Sequence, residues 1–288
     1  MSRMLDYLRL VKFSHSIFAL PFALQGAWLA GGGAPEFRVL LLIVACAVAA
    51  RTAAMAFNRL VDREIDARNP RTRGRELPAG VLSARAASGL VLGSGALFCV
   101  AAFQLNPLAG WLSFPVLALV LGYSLVKRFS FLAHAALGLA LALAPLGAWV
   151  AVRGDLEGSL LPVLALALAV SCWVGGFDLI YACQDADFDR AEGLHSVPAR
   201  FGIGNALRAS MVLHVITVAA LAVVGWSAGL GWIYAVALGA AAALLVWEHT
   251  LVRPDDLSRV NMAFFTINGW VGVALFLGLA LDMQVLGA

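Results

Sequence analysis

The chain has 288 residues, of which 13% are charged and 62% hydrophobic, with a mean hydropathy of +0.89 and a formal net charge of +3. A soluble domain carries about a quarter charged residues, so this composition excludes a water-soluble globular protein and places the chain in lipid. The apolar runs lack the alternating polar positions of a strand with a lumen-facing side, which excludes an outer-membrane barrel, and no pattern resembles a nucleic-acid module.

Nine stretches are long and apolar enough for spanning helices of roughly 20 residues. They cover residues 14–33, 37–57, 84–103, 107–126, 131–152, 160–183, 206–226, 229–247 and 261–281, and predict an all-α membrane protein. The first follows Arg3, Arg9 and Lys12 and ends in a cleavage-like LAGGG, but the run exceeds a signal-peptide core and reads as helix one.

Helix two continues into NRLVDREID, where Asn58, Asp62 and Asp66 recur at i, i+4 and i+8 and form one oxygen-rich stripe. Arg51 lies a heptad before Asn58 on the same face, roughly 10 Å deeper at 1.5 Å per residue. A charge at that depth needs a partner. Two readings stay open: an internal ion pair with Asp178, or an anchor for a substrate carboxylate or diphosphate. NPRTRGRELPAG follows the stripe and brings Arg71 and Arg75.

Helix four ends in YSLVK, where Tyr123 and Lys127 share a face beside Ser124. Helix six ends with Asp178 and then QDADFDR, which carries Asp185 and Asp189, before EGLHSVPARFG with His195 and Ser196. The two acidic stretches stand in related contexts, Asp62 and Asp189 being 127 positions apart. That weak repeat predicts one domain over residues 1–288 made of two facing halves, roughly 1–130 and 131–288. The Gly and Pro breaks predict that both polar loops fold into short helices or turns that cap a mouth and exclude water.

Placing the N-terminus in the cytoplasm puts 17 of the 20 Lys and Arg residues on the inner side, together with both acidic clusters. The expected location is a bacterial inner membrane with the site facing the cytoplasm. Cys46, Cys99, Cys172 and Cys183 form no CxxC pair and read as packing residues. His15, His134, His214 and His249 have no ligand-like spacing and read as interfacial or packing residues.

Four-residue spacing lets each carboxylate pair share one cation. Mg²⁺ binds through a few carboxylates and completes its shell with water and phosphate oxygens, so two sparse Asp pairs predict a Mg²⁺-diphosphate site held by Asn58, Asp62, Asp66, Asp185 and Asp189. Arg9, Lys12, Arg71, Arg75, Lys127, Arg128 and His195 fall on the same expected face, with charge to neutralise diphosphate oxygens.

At these residues the chain resembles the UbiA superfamily of intramembrane prenyltransferases over essentially its whole length. The first motif, NDxxDxxxD, is matched by Asn58, Asp62 and Asp66, with Arg59 in its second position. The following RTxxRxLPxG is matched by Arg71, Thr72, Arg75, Leu77, Pro78 and Gly80. Asp185, Asp189, His195 and Ser196 match the second motif, and Tyr123, Ser124 and Lys127 match YSxxK. Arg51 falls where members acting on hydroxybenzoate also carry arginine.

The resemblance implies about nine transmembrane helices around a central cavity, with Mg²⁺ and an isoprenyl diphosphate at a cytoplasmic mouth under capping loops. It implies transfer of a polyprenyl group to 4-hydroxybenzoate in ubiquinone-type quinone biosynthesis, with a naphthoate acceptor as the rival. Asp178 is expected to orient the phenol or take a proton. Expected partners are isoprenyl diphosphate, a small aromatic acid and the lipid bilayer; no protein partner is readable. An ion-coupled transporter is the reading from another class, but its site belongs near the midplane, whereas these carboxylates cluster at one mouth.

Overall fold

The computed structural model describes residues 3–11 and 18–287, so Lys12 and His15 lie outside the described residues. Among the described residues twelve α-helices follow one another: α1 (Arg3–Leu10), α2 (Leu20–Gly31), α3 (Phe37–Arg68), α4 (Ala84–Leu105), α5 (Pro107–Val126), α6 (Ala133–Arg153), α7 (Leu161–Ala182), α8 (Ala186–Ala191), α9 (Val197–Phe201), α10 (Ile203–Ser227), α11 (Trp232–Leu251) and α12 (Asn268–Leu286). A 3₁₀ turn (Cys183–Asp185) joins α7 to α8, and a π-helical turn (Met262–Ile267) leads into α12. Among the described residues there is no β-strand.

Eight helical segments among the described residues are long and apolar enough to cross a membrane, and the chain is an integral membrane protein. Their bounds follow the hydropathy of the sequence closely, apart from α3, which runs past residue 57 to Arg68. Within residues 14–33 the described helix is α2, whose 12 residues rise only about 18 Å at 1.5 Å each, short of a bilayer core of about 30 Å. It ends where Gly32 takes the left-handed conformation (φ 64°) that a side chain would resist.

Local chemistry sets the other ends. Ser83 caps α4 by accepting from the Ala86 amide at 3.2 Å, and Asn106 caps α5 by accepting from Ala109 at 2.8 Å. The Asn106 amide also reaches the last carbonyls of α6, Val150 at 2.9 Å and Ala151 at 3.1 Å. Arg38 at the start of α3 bonds the Gln104 carbonyl near the end of α4 at 3.0 Å. These contacts gather the start of α3, the ends of α4 and α6 and the start of α5 at one end of the bundle. The end of α3, the start of α6 and the end of α7 then meet at the other.

Helices pack through close backbone approaches. A Cβ on Gly26 of α2 would stand 2.3 Å from the Pro145 oxygen of α6, and one on Gly138 of α6 would stand 2.3 Å from the Ser171 oxygen of α7. Small residues let helices touch where lipid supplies no hydrophobic drive between them. The main apolar core lies between α7, α10, α11 and α12, around Leu166, Trp173, Ile180, Leu221 and Leu275.

Within that core Asn268, fully buried, donates to Glu248 Oε1 at 2.8 Å and to the Ala263 carbonyl at 3.0 Å, and accepts from Trp173 Nε1 at 2.6 Å. One amide thus serves both the irregular π-helical backbone and two side chains. His214 and His249, far apart in sequence, sit with Nδ1 and Nε2 3.0 Å apart beside Glu248. Sequence spacing hid this contact between α10 and α11.

Candidate active site

α3 runs unbroken for 32 residues, past its apolar portion and through the acidic stripe, because nothing before Asn69 interrupts helical geometry. Asn69 then stops it with extended backbone, and its side-chain oxygen accepts from the Arg71 amide at 2.9 Å. Turns occupy residues 69–83 and are pinned beneath the helix, Thr72 Oγ1 donating to the Asp66 carbonyl at 3.1 Å.

This turn region meets the end of α7. Asn69 donates to Asp185 Oδ1 at 3.0 Å, Arg71 Nε donates to the same oxygen at 2.9 Å, and the remaining Arg71 guanidinium arm pairs with Asp185 Oδ2. Arg68 pairs with Glu192 at 2.8 Å. Arg71 also donates to the Tyr181 hydroxyl at 3.0 Å, its guanidinium lying 5.2 Å from the centre of that ring. Burial opposes the Arg71 charge, but the bond to Asp185, with Tyr181 beside it, outweighs that cost and raises Arg71 above its ordinary value.

The first cluster is buried and neutralised. Asp62, 2% exposed, receives Lys127 Nζ at 2.5 Å, Asn58 Nδ2 at 3.2 Å and the Arg128 guanidinium at 3.5 Å. Asp66 receives Arg75 on both oxygens, at 2.7 and 2.8 Å, with Arg59 4.0 Å away. Lys127 also accepts, through its carbonyl, the His195 amide at 2.8 Å. Lys127, at the end of α5, therefore links the stripe of α3 to the segment after α8.

Beneath these groups lies a cavity of about 690 Å³, walled by α3, α5, α6 and α7. At its mouth are Asn58, Arg59, Arg75, Lys127, Asp185, Asp189, His195 and Ser196; deeper stand Arg51, Tyr123, Ser124, His134, Asp178 and Tyr181. Beyond them the walls are almost wholly apolar and run to Leu105, Ala109, Leu156 and Leu160 at the opposite end of the bundle. Polar head and apolar barrel are joined in one continuous space.

Most of the residues singled out in the sequence converge here. Asp62 and Asp66 stand behind their cations and not on the cavity surface itself, whereas Asp185 and Asp189 line it. Ser196 hydrogen-bonds Asp189 and caps α9, accepting from the Ala199 amide at 3.4 Å. Arg9 is exposed on α1 and does not line the cavity; Lys12 lies outside the described residues.

The suggested Arg51–Asp178 pair does not form. Asp178 instead meets His134 Nδ1 at 2.7 Å, and Arg51 keeps a buried Nε without a hydrogen-bond partner. Both side chains line the one cavity, and the Asp178 carboxylate is taken up by His134 of α6 in place of Arg51. An unspent donor facing an enclosed space is suited to an anionic ligand.

His134, Asn69 and Tyr181 are functional candidates that sequence reading passed over. Tyr181 carried a signal, since Asp178, Tyr181 and Asp185 recur at i, i+3 and i+7 on one helical face. His134 carried none, being 44 positions from the residue it touches.

Among the described residues, no three His, Cys, Asp or Glu side chains converge as a ready metal cage. The donor set still suits Mg²⁺, which takes hard oxygens, one or two carboxylates at a time, and fills its shell from phosphate and water. Asp62 Oδ1 is buried and makes no hydrogen bond, its counter-charge being the Arg128 guanidinium 3.5 Å away, so this oxygen could exchange that cation for a metal ion.

Comparisons with known proteins agree with this architecture. The sequence model of the UbiA prenyltransferase family matches residues 19–270. The 4-hydroxybenzoate octaprenyltransferase of Azoarcus sp. (strain BH72) is 34% identical over 281 residues, 96% of this chain and 95% of that protein. A UbiA homolog from Aeropyrum pernix K1, solved in its apo form, superposes with a TM-score of 0.85 at 38% identity, covering 93% of this chain and 98% of the other. A UbiA homolog from Archaeoglobus fulgidus, solved bound to DMAPP and Mg²⁺, shares the fold with a TM-score of 0.75 at 20% identity, over 97% of this chain and 99% of that one. With the family pattern spanning most of its length and the family fold built around a mouth of paired aspartates, the chain belongs to the UbiA prenyltransferase family.

Proposed function

We propose that this protein transfers a polyprenyl group from an isoprenyl diphosphate to 4-hydroxybenzoate, as a step in ubiquinone-type quinone biosynthesis. The observation that carries this reading is the joining of two aspartate-bearing helix ends over an apolar barrel, into which Arg51 brings a buried Nε that has no hydrogen-bond partner among the described residues. The relatives named for 4-hydroxybenzoate prenylation support the choice of acceptor. With 17 of 20 basic residues assigned to one side, the mouth faces the cytoplasm, and the membrane is an inner membrane.

In this reading Asn58, Asp62 and Asp66 on α3, with Asp185 and Asp189 beyond α7, hold Mg²⁺. When bound, the ion supplies positive charge against the leaving diphosphate. Lys127, Arg71 and Arg75 turn from the carboxylates toward diphosphate oxygens, and His195 and Ser196 close the mouth beside them. Arg51 takes the acceptor carboxylate in a charge-assisted pair, with Tyr123 and Ser124 beside the ring. Arg9 and Lys12 add to the positive approach.

The allylic carbon–oxygen bond breaks, and pyrophosphate leaves with the bonding pair as cationic charge develops on carbon. Apolar walls keep water from that carbon, so the ring carbon ortho to the hydroxyl is the nucleophile. A carbon–carbon bond forms, and the hydrogen on that ring carbon leaves as a proton to Asp178. The lipid tail lies along the barrel below, where its burial from water is already paid by the membrane.

Purified protein in liposomes, given Mg²⁺, an isoprenyl diphosphate and a panel of 4-hydroxybenzoate and naphthoates, is expected to prenylate 4-hydroxybenzoate and to stop when EDTA is added. Product from naphthoates alone would reassign the acceptor. No product from any phenolic acid would overturn the reading.

A further inference from the structure

His134 opens α6 at the cavity wall and is 7% exposed. Its Nδ1 lies 2.7 Å from Asp178 Oδ2, and its Nε2 faces the Val197 amide at 3.4 Å. A backbone N–H only donates, so Nε2 is the acceptor and bears no proton. The neutral ring then carries its hydrogen on Nδ1, where it donates to the Asp178 carboxylate. Both faces of the imidazole are committed, which fixes the tautomer and the angle of the ring together.

The consequence falls on Asp178. Its side chain is 24% exposed, toward the cavity it lines, and one of its oxygens is tied to His134. The other oxygen stays available. A carboxylate on two single bonds sweeps a wide arc, whereas one pinned through Oδ2 presents its second oxygen along a single direction. The same imidazole is pinned to the segment that carries Ser196 against Asp189 and the His195 amide against Lys127. The ring end of the cavity and the diphosphate end therefore share one mechanical link.

We propose that His134 is a positioning residue: its Nδ1–H holds Asp178 so that the free carboxylate oxygen receives the ring proton of the aromatic acceptor, the Val197 amide at Nε2 serving only to keep that hydrogen on Nδ1. This rests on the role given to Asp178 in the proposed function. His134 itself touches no reacting atom; the proton passes from ring carbon to Asp178, and the imidazole keeps its own hydrogen throughout.

Three substitutions separate this role from packing. In His134→Asn the amide N–H stands near the place of Nδ1, so the bond to Asp178 survives. In His134→Gln the longer arm carries its amide toward the place of Nε2, and in His134→Leu both bonds are lost. The expected result is a kcat within about threefold of the parent for Asn, and a fall of about 10- to 100-fold for Gln and Leu, with KM for the isoprenyl diphosphate unchanged within about twofold. A packing role would instead rank the variants by size and apolarity, with Leu best tolerated.

A wild-type kcat in His134→Leu, or equal losses in Asn and Gln, overturns the proposal. Should the Leu variant fail to fold, the comparison of Asn with Gln decides. The parent protein is assayed alongside on 4-hydroxybenzoate: an inactive parent refutes the proposed function, whereas an active parent with indistinguishable Asn and Gln variants refutes the positioning role alone.

Discussion

At the scale of single residues, the mouth is a set of exchangeable ion pairs. Asp62, Asp66 and Asp185 each hold a Lys or Arg that has a second use, and none of these carboxylates is left bare. Breaking a buried pair by removing one partner leaves the other charge uncompensated, which costs about 3–5 kcal/mol. Arg51 differs, because its buried Nε has no hydrogen-bond partner among the described residues and no carboxylate pairs with it there. Arg51→Met is therefore expected to fold normally and to raise KM for 4-hydroxybenzoate by about 10- to 100-fold, the worth of roughly 1.4–2.8 kcal/mol of charge-assisted bonding, with KM for the diphosphate substrate little changed. Unaltered acceptor KM in steady-state kinetics would remove Arg51 from the acceptor site.

Residue-level legibility was uneven for a physical reason. Asp62, Asp66, Asp185 and Asp189 announce themselves because a carboxylate is expensive beside lipid and helical spacing groups them. His134 and Asn69 are ordinary residues in sequence. Their partners, Asp178 and Asp185, lie on other elements, at separations of 44 and 116 positions. Asp178 invited pairing with Arg51 on symmetry alone, and the histidine that satisfies it was invisible until α6 lay beside α7.

At the scale of helices, hydropathy marked the spans to within a few residues, since a lipid environment leaves the backbone no alternative to helix. It failed where the code is not hydropathy. The polar end of α3 is helical because of spacing and the absence of breakers, and α2 stops where Gly32 takes the left-handed conformation. Packing between helices was equally silent: Gly138 looks like any other glycine, yet α6 and α7 meet through it. Gly138→Ala forces the two backbones apart and is expected to cost about 1–3 kcal/mol, while Gly239→Ala on α11, where a Cβ meets open space, leaves stability unchanged or slightly improved. Thermal unfolding in detergent checks both, and equal melting temperatures for the two variants would contradict the packing account.

At the scale of the whole molecule, function follows from a polar mouth stacked on an apolar barrel inside one bundle. The mouth alone resembles many phosphate sites, and the barrel alone resembles any lipid-facing cleft. Together they accept a molecule that is anionic at one end and hydrocarbon at the other. Sequence supplied the mouth through its motifs; the barrel's continuity from Lys127 to Leu160 is a product of tertiary arrangement and could be read only from the assembled helices.

The central claim is that the ends of α3 and α7 act on one diphosphate and not on two separate ligands. A double-mutant cycle on isoprenyl diphosphate affinity in the presence of Mg²⁺ tests it most directly, using Asp62→Asn, Asp185→Asn and the combined variant. A shared ligand predicts that each single change weakens binding by about 100-fold and that the double variant is far less than the product of the two, about 10⁴-fold, because either loss already releases the diphosphate from its clamp. Losses that multiply independently, or wild-type affinity in either single variant, would contradict it.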